Sequence, residues 1–279
     1  MSTIESEIDM ALELMYITNN IEVAAIAEYS GVDRIWIDLE RIGKQERQPG
    51  DTVKSNHTTA DIKRIKKQLT KSKVMVRVNP INESSREEID QVIRNGADII
   101  MLPYYKTIDE VKCFLNYVNG RARTNLLLET KEADACLDET LELKGIDEIH
   151  IGLNDLHISY GRKFMFELVA DGTVERICHK IMSANMSYGF GGIAKLGEGL
   201  LPADYLIPEH YRLGSTRVIL ARSFCNGAVF EQNKQEFEKQ FKAGVRDIRR
   251  YEDSLKQKDP SFFIENQIKI KECIDKIIG

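Results

Sequence analysis

Two acidic residues, Glu129 and Asp155, each follow a short apolar run that is typical of a buried strand. The runs are TNLLLE (124–129) and EIHIGL (148–153), and the two carboxylates stand 26 residues apart. This spacing is about one strand–helix unit, so parallel strands would bring both carboxylates to one edge of a sheet. Such oxygen ligands suit a hard divalent cation such as Mg²⁺ or Mn²⁺. Alternatively, Glu129 caps the helix after its strand.

Other charged residues also stand where predicted strands end. Arg77 is flanked by valines in VMVRVNP, and a buried guanidinium without a partner is very costly, which favours a site role. Asp38 stands near the end of the preceding strand. The alternative to a site role is that Asp38 forms a structural ion pair with Arg34 or Arg41. Carboxylates mixed with guanidinium groups indicate recognition of an anionic ligand. The remaining residues at strand ends are Glu40, Asn79, Asn154, Lys195, Arg222 and Ser223.

Eight short apolar runs predict strands, and segments with helical spacing alternate with them. Without a Pro- or Ser-rich linker, this order predicts a single closed α/β fold, the (β/α)8 TIM barrel. The active site of such a barrel is built at the C-terminal ends of the strands, where the residues above stand. The predicted strands are 12–18, 33–40, 73–80, 97–103, 124–129, 148–153, 187–194 and 215–224.

Two segments are additional to the strands and helices of a minimal (β/α)8 barrel. Residues 41–57 form a long polar excursion; such a loop is often functional, although a disordered insertion is an alternative. Residues 1–229 are assigned to the barrel and residues 230–279 to a C-terminal helical extension, with a break at Asp259–Pro260. The apolar stripe of the extension must pack on its own barrel or, as we favour, on a partner subunit, so a homo-oligomer is expected.

Composition and charge exclude several classes of function. The net charge of −5 argues against nucleic acid as the main partner. No apolar stretch is long enough for a membrane span, and the polar start MSTIESEIDM has no secretory signal. The five cysteines are scattered without a CxxC pair, as in proteins with reduced thiols, so a cytoplasmic protein is expected.

The histidines and glycines give weaker evidence for a particular kind of site. No HxH or HExxH pattern occurs, so a zinc site is not indicated. His57 and His157 lie beside the predicted site, whereas His150, within a strand, and His179, within a helix, are expected to be structural. The glycines of 189–199 lack the spacing of a nucleotide-binding loop. They either let backbone N–H groups approach a carboxylate or phosphate, or form a turn.

Five segments, in order and at matching spacing, resemble the HpcH/HpaI aldolase and citrate lyase β-subunit family. They are WIDLER (36–41), VRVNP (76–80), GADIIMLPYYKT (96–107), LLLETKEA (126–133) and IHIGLNDLHISYG (149–161). The resemblance implies a TIM barrel of the phosphoenolpyruvate/pyruvate-binding type. It also implies a metal-dependent carbon–carbon lyase that acts on a 2-keto acid, such as pyruvate or oxaloacetate, and an aldehyde.

The resemblance also implies roles for individual residues. Glu129 and Asp155 would bind Mg²⁺, Mn²⁺ or another divalent cation. Arg77 would hold the keto acid and stabilise its enolate as negative charge develops. The backbone groups that would complete the substrate-binding pocket are those of Gly152, Leu153, Asn154 and Asp155.

One position departs from the family. Its aldolases carry a proton-transferring histidine just after the Glu of the second-strand motif, and its citrate lyase branch carries an acidic residue there, whereas this chain has Arg41. An arginine stays protonated and is a poor general base. Either His57 or a water on the metal is the base, or Arg41 binds a more anionic substrate, or lyase activity is weak. Asp38, Arg41 and His57 are therefore further candidate catalytic residues.

Three other activities are consistent with these residues. A Schiff-base aldolase would use Lys106, Lys131 or Lys195, with burial lowering the pKa of that lysine. A citrate lyase-like enzyme would act on an acyl-CoA thioester. A non-catalytic member would bind a keto acid without turnover.

Overall fold

The computed structural model describes residues 11–44, 55–225 and 227–279. Eight parallel strands pair in sequence order, and the eighth pairs with the first, so the sheet closes into a barrel. The predicted TIM barrel is confirmed, and only β5 starts outside its predicted run, by one residue. The strands are β1 Glu13–Ile17, β2 Arg34–Asp38, β3 Lys73–Arg77, β4 Ile99–Leu102, β5 Arg123–Leu128, β6 Glu148–Ile151, β7 Ser187–Ile193 and β8 Arg217–Leu220.

Helices follow the strands and cover the barrel. None in the described ranges is long and apolar enough to cross a membrane. Residues 45–54 of the polar excursion and the acidic start of the chain lie outside the described residues. The helices are α1 Ile21–Tyr29, α2 Thr59–Gln68, α3 Ser85–Arg94, α4 Ile108–Val118, α5 Lys131–Ala135, α6 Leu137–Leu141, α7 Leu153–Ser159, α8 Glu167–Ala170, α9 Thr173–Ser183, α10 Ala203–Arg212, α11 Gly227–Gln232, α12 Lys234–Leu255 and α13 Pro260–Ile278, with a 3₁₀ turn at Arg222–Phe224.

Side chains alternate along each strand between the helices and the barrel interior. The middle of the interior is a separate apolar cluster, and polar groups lie on either side of it along the strands. The buried members of the cluster are Met15, Trp36, Met75, Ile99, Met101 and Leu127.

The N-terminal end of the interior is closed by buried ion pairs around Glu148. This carboxylate contacts Arg34, lies 2.5 Å from the Arg217 guanidinium and accepts a 2.6 Å hydrogen bond from Asn125. Arg34 therefore lies at the opposite end of β2 from Asp38. The ion pair between Asp38 and Arg34 that the sequence suggested as an alternative is wrong.

The two C-terminal helices bury part of their apolar residues on their own chain. In α12, Phe241 packs edge-on against Tyr16 of β1 with ring centroids 5.0 Å apart. In α13, Phe263 is buried, and Asn266 donates a 2.9 Å hydrogen bond to the carbonyl of Tyr205. Because Ile264, Ile268 and Ile277 of α13 stay exposed, packing of this part of the stripe on a partner subunit stays a prediction. The break at Asp259–Pro260 lies where it was expected, and the homo-oligomer stays a prediction.

The glycines of β7 let the strand fit tightly against its neighbours, so this part of the glycine-rich segment is strand, not turn. A Cβ atom on Gly189 would lie 2.3 Å from Cγ of Arg217 and 2.4 Å from its carbonyl oxygen. The register between β7 and β8 shifts between Gly189 and Gly192. Close approach of the two strands therefore requires glycine at position 189.

We expect Gly189→Ala to lower the free energy of unfolding by about 1–3 kcal/mol, because the added methyl group overlaps backbone that cannot move aside. Urea denaturation measures this. Gly227→Ala is the matched control, since a Cβ atom there meets nothing within 4 Å. Equal midpoints for the two variants would contradict the proposed strand contact.

Candidate active site

A cavity of about 300 Å³ opens at the C-terminal ends of the strands. Glu129 and Asp155 both line it, as the spacing of their strands predicted, and Arg77 lines it as well. The lining residues are Ile17, Trp36, Lys44, Arg77, Leu127, Glu129, His150, Gly152, Leu153, Asn154, Asp155, Met165, Gly191, Gly192, Ile219 and Arg222.

Glu129 follows β5 directly and points into this cavity. One of its oxygens, Oε1, accepts a 3.0 Å hydrogen bond from the backbone N–H of Tyr104. The helix after it is capped instead by Thr130, whose hydroxyl accepts from the N–H of Ala133. The capping role considered for Glu129 is therefore wrong, and its carboxylate lines the cavity.

Gly152 makes room for the Glu129 carboxylate. A Cβ atom at Gly152 would lie 2.9 Å from Oε2 of Glu129, closer than side-chain atoms normally approach. Gly152 also precedes α7, whose first turn carries Asp155, so one residue links the two acidic positions. Both carboxylates are buried, with 3% of Glu129 and 8% of Asp155 exposed.

The donor set fits a hard divalent cation. Two carboxylates are present, and the described ranges hold no cluster of three or more His, Cys, Asp or Glu that could bind a metal. Mg²⁺ is usually bound by one or two carboxylates, with water and substrate oxygens completing the shell. Glu129 and Asp155 match that pattern, and their assignment as metal ligands stays a prediction.

Arg77 has the ionic partners that its buried position requires. Its Nε and Nη2 atoms donate to the two oxygens of Asp38 at 2.9 and 2.8 Å, and Glu40 lies 3.3 Å from Nη1. Its guanidinium also lies 5.1 Å from the ring centre of Trp36. Burial alone would lower the pKa of Arg77, but the two carboxylates outweigh burial and raise it.

Lys44 joins the same ion-pair group and was not foreseen from the sequence. Its Nζ atom lies 2.9 Å from Asp38 and 3.3 Å from Glu40. Burial alone would raise the pKa of Asp38, but Arg77 and Lys44 hold that pKa well below its usual range. The only signal in the sequence is the i, i+4 spacing between Glu40 and Lys44.

The three lysines suggested for a Schiff base, Lys106, Lys131 and Lys195, do not line the cavity.

Arg41 and His57 lie near this group but do not line the cavity. Arg41 is exposed, and its guanidinium donates to the carbonyl of His57 at 3.0 Å. Nδ1 of His57 accepts a 2.9 Å hydrogen bond from the backbone N–H of Asp38, so a neutral His57 ring carries its proton on Nε2. Burial lowers the pKa of His57. His57 is therefore a neutral ring that can donate a hydrogen bond through Nε2. The catalytic roles of Arg41 and His57 stay predictions.

His57 lines a second cavity of about 490 Å³, which shares Ile17 and Arg222 with the first. His157, the other histidine expected near the site, lies in α7 with Nδ1 3.2 Å from the carbonyl oxygen of Leu153, and lines neither cavity. His150, expected to be structural, lines the first cavity. The structure thus gathers seven predicted site residues in one cavity: Arg77, Glu129, Gly152, Leu153, Asn154, Asp155 and Arg222.

The model of the HpcH/HpaI aldolase/citrate lyase family matches residues 14–167, more than half of the chain. The chain therefore belongs to this family of lyase-type enzymes. Members generally depend on a divalent metal. No curated protein matches the sequence.

Solved structures share the fold at low sequence identity. The HpcH/HpaI aldolase from Desulfitobacterium hafniense has a TM-score of 0.61 and 14% identity, covering 83% of this chain and 93% of its own. A family protein from Burkholderia cenocepacia has a TM-score of 0.63 and 13% identity, covering 85% and 99%. The citrate synthase SbnG has a TM-score of 0.60 and 15% identity, covering 84% and 95%. These likenesses show the fold alone.

We expect Asp38→Asn to lower the free energy of unfolding by about 3 kcal/mol, because Arg77 then remains buried with one charged partner fewer. Urea denaturation at pH 7 measures this. Asp90→Asn removes the carboxylate partner of the exposed Arg121 and serves as the matched control, with a midpoint close to that of the wild type. A wild-type midpoint for Asp38→Asn would show that the buried pair does not stabilise the fold.

Proposed function

We propose that the protein is a divalent-metal-dependent carbon–carbon lyase of the aldolase type. Its substrate would be a 2-keto acid such as pyruvate or oxaloacetate, with an aldehyde as the second reactant. The observation that carries this proposal is the single cavity in which two buried carboxylates face one arginine held by ion pairs. Membership of an aldolase and lyase family supports the reaction class.

The two carboxylates would hold the metal, and the bound metal would act as a Lewis acid that polarises the keto oxygen. Two features keep Glu129 in position for this task. Its Oε1 atom accepts from the N–H of Tyr104, and Gly152 leaves space beside Oε2. Asp155 is fixed by the first turn of α7.

Arg77 would stabilise the negative charge that develops on the keto oxygen. A guanidinium has five N–H donors, of which Asp38 takes two and Glu40 faces a third. Donors therefore remain for a substrate oxygen. Because the ion pairs already fix the group, little reorganisation is needed when charge develops, which is the condition for effective electrostatic catalysis.

The start of α7 would bind the carboxylate of the keto acid. Leu153, Asn154 and Asp155 line the cavity, and their backbone N–H groups belong to the first turn of α7. Such N–H groups favour an anion. Substrate orientation would thus be set from β3 by Arg77 and from β6 by this turn.

Arg41 would support the site rather than transfer a proton. Its backbone N–H donates to Oδ1 of Asn79 at 2.8 Å, and its guanidinium donates to the carbonyl of His57. These bonds tie the segment after β2 to the end of β3 and to His57, which lines the second cavity. The aldehyde would approach from that second cavity, because the two cavities share Ile17 and Arg222.

With Mg²⁺ or Mn²⁺, the protein is expected to catalyse exchange of the methyl protons of pyruvate in D₂O, followed by NMR. Glu129→Gln and Asp155→Asn should each reduce the rate by about 100-fold or more, because each removes one of two charged metal ligands. Removal of the metal with EDTA should have the same effect.

Glu139→Gln is the matched control, since this glutamate is exposed on α6. Exchange that survives in Glu129→Gln, or that is insensitive to EDTA, would contradict the metal assignment. Metal-dependent binding of pyruvate without exchange, and without turnover of any aldehyde, would instead favour a keto-acid-binding protein.

A further inference from the structure

The proposed lyase reaction needs a group that moves a proton, because the hydroxyl of an aldol loses its proton when the carbon–carbon bond breaks. Arginines stay protonated, and the two carboxylates are the proposed metal ligands. His150 is fully buried, with Nε2 3.2 Å from a backbone carbonyl oxygen of β7. One lysine therefore remains for proton transfer. The ionisable side chains among the described residues that line the cavity are Lys44, Arg77, Glu129, His150, Asp155 and Arg222.

A tight turn after β2 keeps Lys44 at the end of the strand. The backbone N–H groups of Arg41 and Ile42 both donate to Oδ1 of Asn79, at 2.8 and 3.0 Å. Gly43 follows with a φ of +70°, a conformation that glycine adopts without strain. The N–H of Lys44 then donates to the carbonyl of Arg41 at 3.4 Å. The chain therefore turns back, so that Lys44 lines the cavity although Arg41 does not.

The ammonium group of Lys44 is held in place and still borders the cavity. Its Nζ atom lies 2.9 Å from Oδ2 of Asp38 and 3.3 Å from Oε2 of Glu40. An ammonium group has three N–H donors, so two carboxylates leave one donor for a ligand. The side chain of Lys44 is 13% exposed, which is similar to the 11% of Arg77.

Asp38 places this ammonium group next to Arg77. Its Oδ2 atom accepts a 2.9 Å hydrogen bond from Nζ of Lys44 and a 2.8 Å hydrogen bond from Nη2 of Arg77. Two donors on one oxygen atom are near neighbours. The keto oxygen and the hydroxyl oxygen of an aldol stand on carbons that are two apart, so neighbouring cations can contact both oxygens of one substrate.

We propose that Lys44 is the catalytic residue that transfers the hydroxyl proton. In aldol addition, the enolate carbon bonds to the aldehyde carbon, the π electrons of the aldehyde move onto its oxygen, and Nζ gives that oxygen a proton. The neutral amine then regains a proton from water. In cleavage, the neutral amine takes the hydroxyl proton while the electron pair of the broken carbon–carbon bond forms the enolate. The proposal rests on the proposed function, because it assigns a step of the same reaction.

Oxaloacetate separates this step from formation of the enolate. Its decarboxylation yields the enolate of pyruvate by breaking a carbon–carbon bond, but no hydroxyl proton moves. With Mn²⁺, Lys44→Arg should decarboxylate oxaloacetate within about threefold of the wild-type rate, because the positive charge beside Asp38 remains. It should cleave an aldol about 100-fold or more slowly, because an arginine does not exchange its proton. The test substrates are the aldols of pyruvate with acetaldehyde, propanal and glycolaldehyde.

Added ethylamine gives a readout that a structural role would not change. Lys44→Ala leaves space for this amine, which should raise the rate of aldol cleavage about 10-fold or more above a blank without protein. The same amine should not raise the rate of Lys44→Arg, in which the space is filled. Calorimetry should show similar affinities for pyruvate in the Mn²⁺-loaded wild type and Lys44→Arg, so that the loss lies in the chemical step.

Lys66→Met is the matched control, because Nζ of Lys66 also pairs with a carboxylate, 2.6 Å from Asp98, and Lys66 does not line the cavity. Its rates should match the wild type in both reactions, and thermal unfolding confirms that each variant is folded. Wild-type cleavage by Lys44→Arg, or equal losses in both reactions, would overturn the proposal.

Two further results would also overturn it. One is a borohydride-stable adduct of pyruvate on Lys44, because the amine would then be a nucleophile. The other is a wild-type protein that decarboxylates oxaloacetate but cleaves none of the three aldols. If the wild type catalyses neither reaction, the proposed function fails as well, so the two failures are distinct.

Discussion

The side chain of Arg77 enters the barrel interior at the end of β3, where a guanidinium without a partner would be very costly. Asp38 and Glu40 supply the compensating charge from the end of β2, and Lys44 balances the two carboxylates in turn. This pairing depends on the register between the two strands, in which Asp38 stands beside Arg77. The register between β2 and β3 therefore sets the geometry on which the charged half of the site depends.

The two polar ends of the interior serve different purposes. At the N-terminal end, Glu148 is surrounded by three arginines and an asparagine, and the end is closed. At the C-terminal end, the charged groups border a cavity of about 300 Å³. An apolar layer that includes Met75 and Leu127 separates the two ends. The charges at the N-terminal end can therefore stabilise the barrel, while those at the C-terminal end border the space that a ligand would occupy.

The order of the strands and the residues at their ends could be predicted from the sequence, because short β-branched runs and their spacing are local properties. The partner of Asp38 could not be predicted, since an ion pair between strands depends on register rather than on sequence distance. For the same reason Lys44, in the segment after β2, had no signal beyond its i, i+4 spacing from Glu40. The contact of His150 with a cavity was hidden because its alternating position resembles that of any interior residue.

Gly152 has a consequence for how the site could vary. Gly152 leaves space for Glu129 and also directly precedes the helix that carries Asp155, so the positions of both carboxylates depend on this one residue. A displacement of the β6 tip would carry Asp155 with it and would also reshape the space beside Glu129. The separation of the two acids therefore depends on the main chain of adjacent strands as well as on the side-chain rotamers. Under the proposed function, the position of the main chain at the barrel rim would therefore contribute to the choice of metal.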